Sequence, residues 1–187
     1  MTVHILALVG SLRAGSHNRQ LAETAVRLAP EGVGIEVYEG LADLPFYNED
    51  LDVEGAVPAA ATALREATLR ADAVLLFSPE YNGTIPAVLK NAVDWLSRPY
   101  GVGALKGKPL AVIGTAFGQY GGVWAQDEAR KAARIAGAAV LEDLTLSVPG
   151  SVTRFAETHP ADDAEVTARL GEVLAGLSAS VTAPAGV

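Results

Sequence analysis

The chain has 187 residues and a formal charge of −8, from 22 acidic and 14 basic residues. That length suits one domain, and the acidic excess argues against a nucleic-acid partner. With no cysteine anywhere, disulfides, thiolate catalysis and iron–sulfur ligation are excluded. In chain order, Val3–Val9 is a short apolar run that ends at Gly10, which predicts a buried strand. Residues 16–29 carry Leu21, Ala25 and Leu28 at helical spacing, and residues 34–38 read as a second strand. Residues 41–54 are irregular and acidic; residues 58–70 form a helix with Pro58 near its first turn. Ala73–Phe77 is a continuous apolar strand stopped by Ser78-Pro79, and residues 84–96 read as a helix with Pro86 in its first turn. Residues 109–114 are another strand, and residues 122–136 a helix closed by Gly137. Ala139–Val148 holds a last, kinked strand, and residues 162–177 form a terminal helix opened by Asp162. Residues 1–180 are expected to make one domain, with 181–187 as a flexible tail.

Five apolar strands separated by helices imply an α/β fold: a parallel sheet covered on both faces, three-layered and doubly wound. Ligands of such folds bind beyond the carboxyl ends of the strands, which directs attention to the segments after Val9, Phe77 and Gly114. No apolar run approaches the roughly 20 residues of a membrane span. The N-terminus lacks the basic start and long apolar stretch of a signal peptide. A soluble, cytoplasmic protein without a membrane partner is expected.

The segment after the first strand reads Gly10-Ser11-Leu12-Arg13-Ala14-Gly15-Ser16-His17-Asn18-Arg19. It delivers the chain to a helix N-terminus, where free N–H groups and the helix dipole favour an anion. Ser11, Ser16 and Asn18 add neutral donors, and Arg13 a charged one suited to phosphate. The alternative is a plain loop whose Ser16 caps the helix. Gly10 and Gly15 have the spacing of a nucleotide P-loop, but His17 follows Ser16 where Lys-Ser or Lys-Thr is required. The dinucleotide fingerprint is also absent here. What remains suits a single terminal phosphate.

The segment after the third strand, Ser78-Pro79-Glu80-Tyr81-Asn82-Gly83-Thr84-Ile85-Pro86, places a tyrosine, an asparagine and a glycine between prolines. Such a rigid turn can present consecutive N–H groups to the edge of a planar ring, or serve only as a structural turn.

Gly10-Ser11-Leu12-Arg13 with Ser16, Asn18 and Arg19, then Ser78-Pro79-Glu80-Tyr81-Asn82, then Leu89-Lys90-Asn91-Ala92-Val93-Asp94-Trp95-Leu96-Ser97-Arg98 together resemble the NAD(P)H-dependent FMN reductase family. The resemblance runs over about residues 3–150. That family includes quinone, chromate and azo-dye reductases. The resemblance implies a flavodoxin-like sheet of order 2-1-3-4-5. It implies FMN as cofactor, NADPH or NADH as co-substrate, a small electron acceptor, and a homodimer or homotetramer. It places the phosphate on Ser11, Arg13, Ser16, His17 and Asn18, and the ring system along Pro79, Glu80, Tyr81, Asn82 and Gly83. A third segment, with Thr115, Ala116, Phe117 and Gly118, would cover the other side of the ring. Family members often carry a serine near Ala116, and its absence here puts a side-chain contact in question. Hydride would pass from nicotinamide to flavin N5, so no protein acid or base is assigned. The helix carrying Lys90, Asn91, Asp94 and Trp95 would help build a dimer interface; equally, Lys90 and Asp94 suit an i,i+4 pair on a helix face.

Other chemistries fit less well. Gly114-Thr115-Ala116-Phe117-Gly118 has nucleophile-elbow spacing, but Ala116 stands in the nucleophile's place. His4, His17 and His159 are far apart and predict no metal site. A flavodoxin-like electron carrier and a non-catalytic FMN-binding regulator are the alternatives to an enzyme. The acidic segment containing Phe46 and Tyr47 is expected either as a solvated loop or beside the cleft of a neighbouring subunit.

Overall fold

The structure is a computed structural model and describes residues 2–182. Five strands, β1 (Val3–Val9), β2 (Val33–Val37), β3 (Ala73–Phe77), β4 (Pro109–Thr115) and β5 (Ala139–Val148), form one parallel sheet of order β2-β1-β3-β4-β5. The helices are α1 (His17–Arg27), α2 (Ala59–Arg70), α3 (Ala87–Leu96), α4 (Val123–Ile135), the short α5 (Ser151–Arg154) and α6 (Ala164–Thr182).

Successive strand residues face opposite layers, because side chains alternate across a strand. Leu6, Leu8, Val74, Leu76, Leu110 and Val112 pack with Leu64 of α2, Leu89 and Trp95 of α3 and Ala129 of α4. Ile5, Ala7, Leu75, Phe77, Ala111 and Ile113 pack with Leu21 of α1 and Leu170 and Leu174 of α6. Both faces are therefore dry, which explains the unbroken apolar runs of β1, β3 and β4. The kink expected in the last strand is present. From Leu110↔Val140 to Val112↔Thr145, two steps along β4 oppose five along β5.

Element ends differ from expectation where prolines and side-chain caps act. Pro86 caps α3 from outside, so that helix starts at Ala87; Thr84 instead pairs with Tyr81. Pro58 likewise precedes α2. The terminal helix is opened by Asp163 rather than Asp162. The Asp163 carboxylate accepts from the N–H groups of Glu165 and Val166, both at 3.1 Å. That helix runs on to Thr182, so residues 181 and 182 of the expected tail are its last turn, and 183–187 lie outside the described residues.

The irregular acidic segment contains two short 3-10 turns, Gly40–Asp43 and Glu49–Leu51, and is pinned to its neighbours. The Pro45 carbonyl accepts from Trp95 Nε1 (2.8 Å) and Asn91 Nδ2 (3.0 Å). Arg65 holds Asp52 through two 2.8 Å bonds, and that guanidinium keeps the Asp52 carboxyl below the usual aspartate range. Lys90 and Asp94 form the i,i+4 pair, at 2.5 Å.

Candidate functional site

The three segments singled out by sequence meet at the carboxyl edge of β1, β3 and β4. Gly10 N–H donates to the Phe77 carbonyl at 2.8 Å, and Ser78 N–H to the Ile113 carbonyl at 2.8 Å, so each crossing is fixed to its neighbour strand. Gly10 and Gly114 have no room for a side chain. A Cβ on Gly10 would lie 2.9 Å from Pro86 Cγ and 3.0 Å from Pro79 Cδ; one on Gly114 would lie 2.1 Å from the Ser78 carbonyl oxygen. The first and second segments thus touch through glycine, which keeps the edge compact.

In the first segment, Ser16 caps α1. It is buried, its backbone is extended, and its Oγ accepts from Arg19 N–H at 3.3 Å. The capping alternative is therefore correct for the Ser16 side chain. It leaves the N–H groups of His17 and Asn18, in the first turn, without an acceptor among the described residues. Ser11 is half-buried, and Arg13 is exposed, its guanidinium reaching only the Ala14 carbonyl at 3.4 Å. Arg19 is spent elsewhere, on Glu23 and Glu39. The His17 ring lies 5.6 Å from that of Phe155. Burial, helped by the positive charge of Arg13, holds its pKa below the usual histidine value.

Asn18 differs from its expected role. Its side chain is buried; Nδ2 donates to the Thr115 carbonyl at 2.8 Å and Oδ1 accepts from Thr115 N–H at 3.0 Å. It stitches the first segment to the third instead of facing outward.

In the second segment, Asn82 (φ 54°) and Gly83 (φ 74°) both have positive φ. Tyr81 and Thr84 exchange both backbone hydrogen bonds, at 3.3 and 3.2 Å. This is a two-residue hairpin with the residues such turns favour. Tyr81 N–H is therefore consumed, while those of Glu80, Asn82 and Gly83 have no partner among the described residues. Pro79 is buried against Gly10. The Glu80 carboxylate accepts from Ala125 N–H at 3.1 Å, capping α4, so this side chain ties the second segment to the helix behind the third.

In the third segment, Thr115 and Ala116 are buried with their polar groups committed. Thr115 Oγ1 donates to the Val148 carbonyl at 2.7 Å. Ala116 N–H also donates there, at 3.2 Å, and the Ala116 carbonyl accepts from Ser151 N–H at 3.0 Å. Contact from this segment to a ligand falls to Phe117 and Gly118, which are exposed. Phe117 joins Leu12, Tyr81, Tyr120 and Trp124 as large hydrophobic side chains exposed on these three segments and the start of α4. The rings of Tyr120 and Trp124 lie 5.3 Å apart, and Trp124 Cε3 stands 3.9 Å from a Cβ built on Gly83.

Trp124 and Phe155 were not singled out by sequence, whereas Tyr120 falls within the third segment. Trp124 opens a helix whose other signals are those of an ordinary amphipathic surface, and Phe155 reaches His17 from well over 100 positions away, which no local pattern encodes. Among the described residues no cluster of three or more His, Cys, Asp or Glu could hold a metal ion. No helix there is long and apolar enough to cross a membrane. A groove of about 690 Å³ lies elsewhere, between α3 and α4, lined by Lys90, Arg98, Tyr100, Lys131 and Ile135.

Residues 3–153 match the model of the family described as NADPH-dependent FMN reductase. A quinone reductase of Pseudomonas putida is 44% identical over 127 residues, 68% of this chain and 67% of that protein. An NAD(P)H-dependent FMN reductase of Pseudomonas aeruginosa is 40% identical over 129 residues, 69% of this chain and 68% of the relative. Among solved structures, the flavoenzyme NAD(P)H:(acceptor) oxidoreductase FerB of Paracoccus denitrificans aligns with a TM-score of 0.85 and 30% identity. That alignment covers 97% of this chain and 98% of the other.

Proposed function

The chain belongs to the NADPH-dependent FMN reductase family, an oxidoreductase family that uses FMN with NAD(P)H as electron donor, and from that premise we propose that it passes electrons to a quinone or similar small planar acceptor by a ping-pong mechanism. The observation that carries the reading is the pairing, at one sheet edge, of an exposed arginine beside a helix N-terminus with an exposed aromatic surface. The first suits a phosphate and the second a tricyclic ring.

FMN fits these residues. The free N–H groups of His17 and Asn18, the Ser11 hydroxyl and the Arg13 guanidinium make a donor set for a terminal phosphate. Burial first, and the neighbouring Arg13 charge second, disfavour a protonated His17, which leaves the arginine as the main charge there. The N–H groups of Glu80, Asn82 and Gly83 are free to meet a ring edge, while Tyr81 and Phe117 offer apolar faces. Asn18, Glu80, Thr115 and Ala116 act by positioning the segments that do the contacting. Bound FMN supplies the hydride-accepting and electron-donating chemistry, and the protein binds, orients and shields it.

An open, exposed aromatic surface, on which donor and acceptor would stack in turn, supports the ping-pong reading. Initial rates of the FMN-loaded protein, measured with NADPH at several fixed quinone concentrations, should give parallel double-reciprocal lines. Intersecting lines would show both substrates bound at once. Quinone reduction is expected because the Pseudomonas putida relative is named a quinone reductase.

The chain is further proposed to act as a homodimer or homotetramer through the α3–α4 groove, where Tyr100 and Ile135 are 86% and 75% exposed. Phe46, 78% exposed on the pinned acidic segment, would then border the neighbour's cleft. Sedimentation of Ile135→Asp should show monomer where the unaltered chain shows a dimer or larger assembly.

A further inference from the structure

The third segment is anchored differently at its two ends. At the start, Thr115 and Ala116 are bound to Asn18 of α1 and Val148 of β5. Phe117 to Tyr120 are exposed. At the far end, Gly121 and Gly122 both have positive φ, 64° and 84°. A Cβ on Gly121 would lie 2.7 Å from the Ser147 backbone, so this turn presses directly on β5.

One side chain holds that turn from beneath. Gln126 is fully buried, and its Nε2 donates to the Gly121 carbonyl at 3.2 Å. Its Oε1 accepts from Ser147 Oγ at 3.0 Å and from Arg130 Nη2 at 3.3 Å. With both donors on Oε1, the carboxamide is oriented so that only its NH2 can face Gly121.

Arg130 is itself an unusual group to find here. It is 5% exposed. It donates to the Val112 carbonyl at 2.9 Å, beside the β4–β5 register shift, and to the surface carboxylate of Asp127 at 2.8 Å. Its Nε has no partner among the described residues. A buried cation with an unmet donor is costly, and an apolar side chain would pack α4 against the sheet more cheaply. What the arginine secures is the Val112 carbonyl at the register shift and, through Oε1, the direction of Gln126.

We infer that Gln126, oriented by Arg130 and Ser147, is a positioning residue that sets the far end of the third segment, and with it Phe117 and Gly118, against the flavin ring. The inference rests on the FMN reading above. It divides flavin recognition into two independent parts. Arg13 and the α1 N-terminus hold the phosphate; the Gln126 lattice governs contact with the ring.

Gln126→Glu tests this directly. A carboxylate keeps the acceptor for Ser147 and Arg130, and so keeps the packing, but turns an acceptor toward the Gly121 carbonyl. Dissociation constants would be measured for FMN and for riboflavin, which shares the ring but lacks the phosphate, with the visible circular dichroism of the bound flavin. Loss of one hydrogen bond predicts weakening of about fivefold to tenfold for both ligands, an unchanged ratio between them, and an altered dichroic band. Gln126→Met, apolar and of similar length, also removes the bond to Gly121 and carries the same prediction should the glutamate variant not fold. Wild-type affinities and spectrum in either variant would overturn the inference while leaving the FMN reading intact, as would weakening of FMN alone. Failure of the unaltered chain to bind either flavin would overturn both.

Discussion

The two edges of the sheet treat their polar groups in opposite ways. At the amino edge, Lys108 donates its ammonium to the carbonyls of Leu69 and Ala71, closing the end of α2, and Asp72 accepts from His4 N–H at 2.8 Å. At the carboxyl edge, Arg13 reaches only its neighbour's carbonyl, the first turn of α1 keeps free N–H groups, and aromatic rings stand in solvent. A buried or half-buried polar group that has found a partner within the chain is structure. Groups left open on a rigid frame are where a ligand completes the hydrogen bonding. On that difference the carboxyl edge is the candidate site that we propose, without reference to any relative.

The rigid frame is the part most sensitive to substitution. Gly114→Ala would place a Cβ 2.1 Å from the Ser78 carbonyl oxygen, and backbone on both sides must move. A loss of about 3 kcal/mol is expected from overpacking of this kind, read as a lower urea midpoint. An unchanged midpoint would mean that the edge is not held as tightly as the glycines indicate.

The open groups should behave in the reverse manner. Arg13→Ala is expected to weaken FMN binding by roughly 10- to 100-fold, as for a charged hydrogen bond lost to phosphate. The apoprotein's stability should change by less than about 0.5 kcal/mol. Lys108→Met should do the opposite, costing about 1 kcal/mol of stability with FMN affinity unaltered. Paired urea melts and flavin titrations of the two variants would break the comparison if either effect crossed over.

A smaller effect concerns His17. Its folded-state pKa is lowered by burial and then by Arg13, below the ordinary histidine value. The unfolded chain therefore takes up the proton first, and stability rises with pH across that window. It is full above the ordinary histidine range and declines as pH falls through it. Urea melts of the apoprotein between about pH 7 and pH 5 should show this slope, and His17→Phe should flatten it.

Much of the frame was legible because its signals are local. Apolar runs of β1, β3 and β4 announced a sheet covered on both faces, and Asn82-Gly83 announced a tight turn. Ser16 was legible as a cap for the same reason. The roles of Asn18 and Glu80 were not, because each is set by a partner far along the chain. Thr115 is 97 residues from Asn18, and Ala125 is 45 from Glu80. A side chain of donor type beside a phosphate loop looks the same in sequence whether it faces the ligand or a neighbouring loop. The start of α3 moved from Thr84 to Ala87 because Pro86 caps from outside, and the hairpin claims Thr84. Nothing in the sequence sets Gln126 and Arg130 apart from the other polar residues of α4, and packing buries both.

The most direct test of the central claim is an anaerobic titration of the FMN-loaded protein with NADPH, then with NADH, followed in the flavin's visible absorbance band. The account predicts that the band bleaches with one equivalent of donor per flavin and returns when a quinone is added. Stable flavin binding with no bleaching by either nucleotide would contradict it, and would leave an electron carrier or a flavin-binding regulator in place of a reductase.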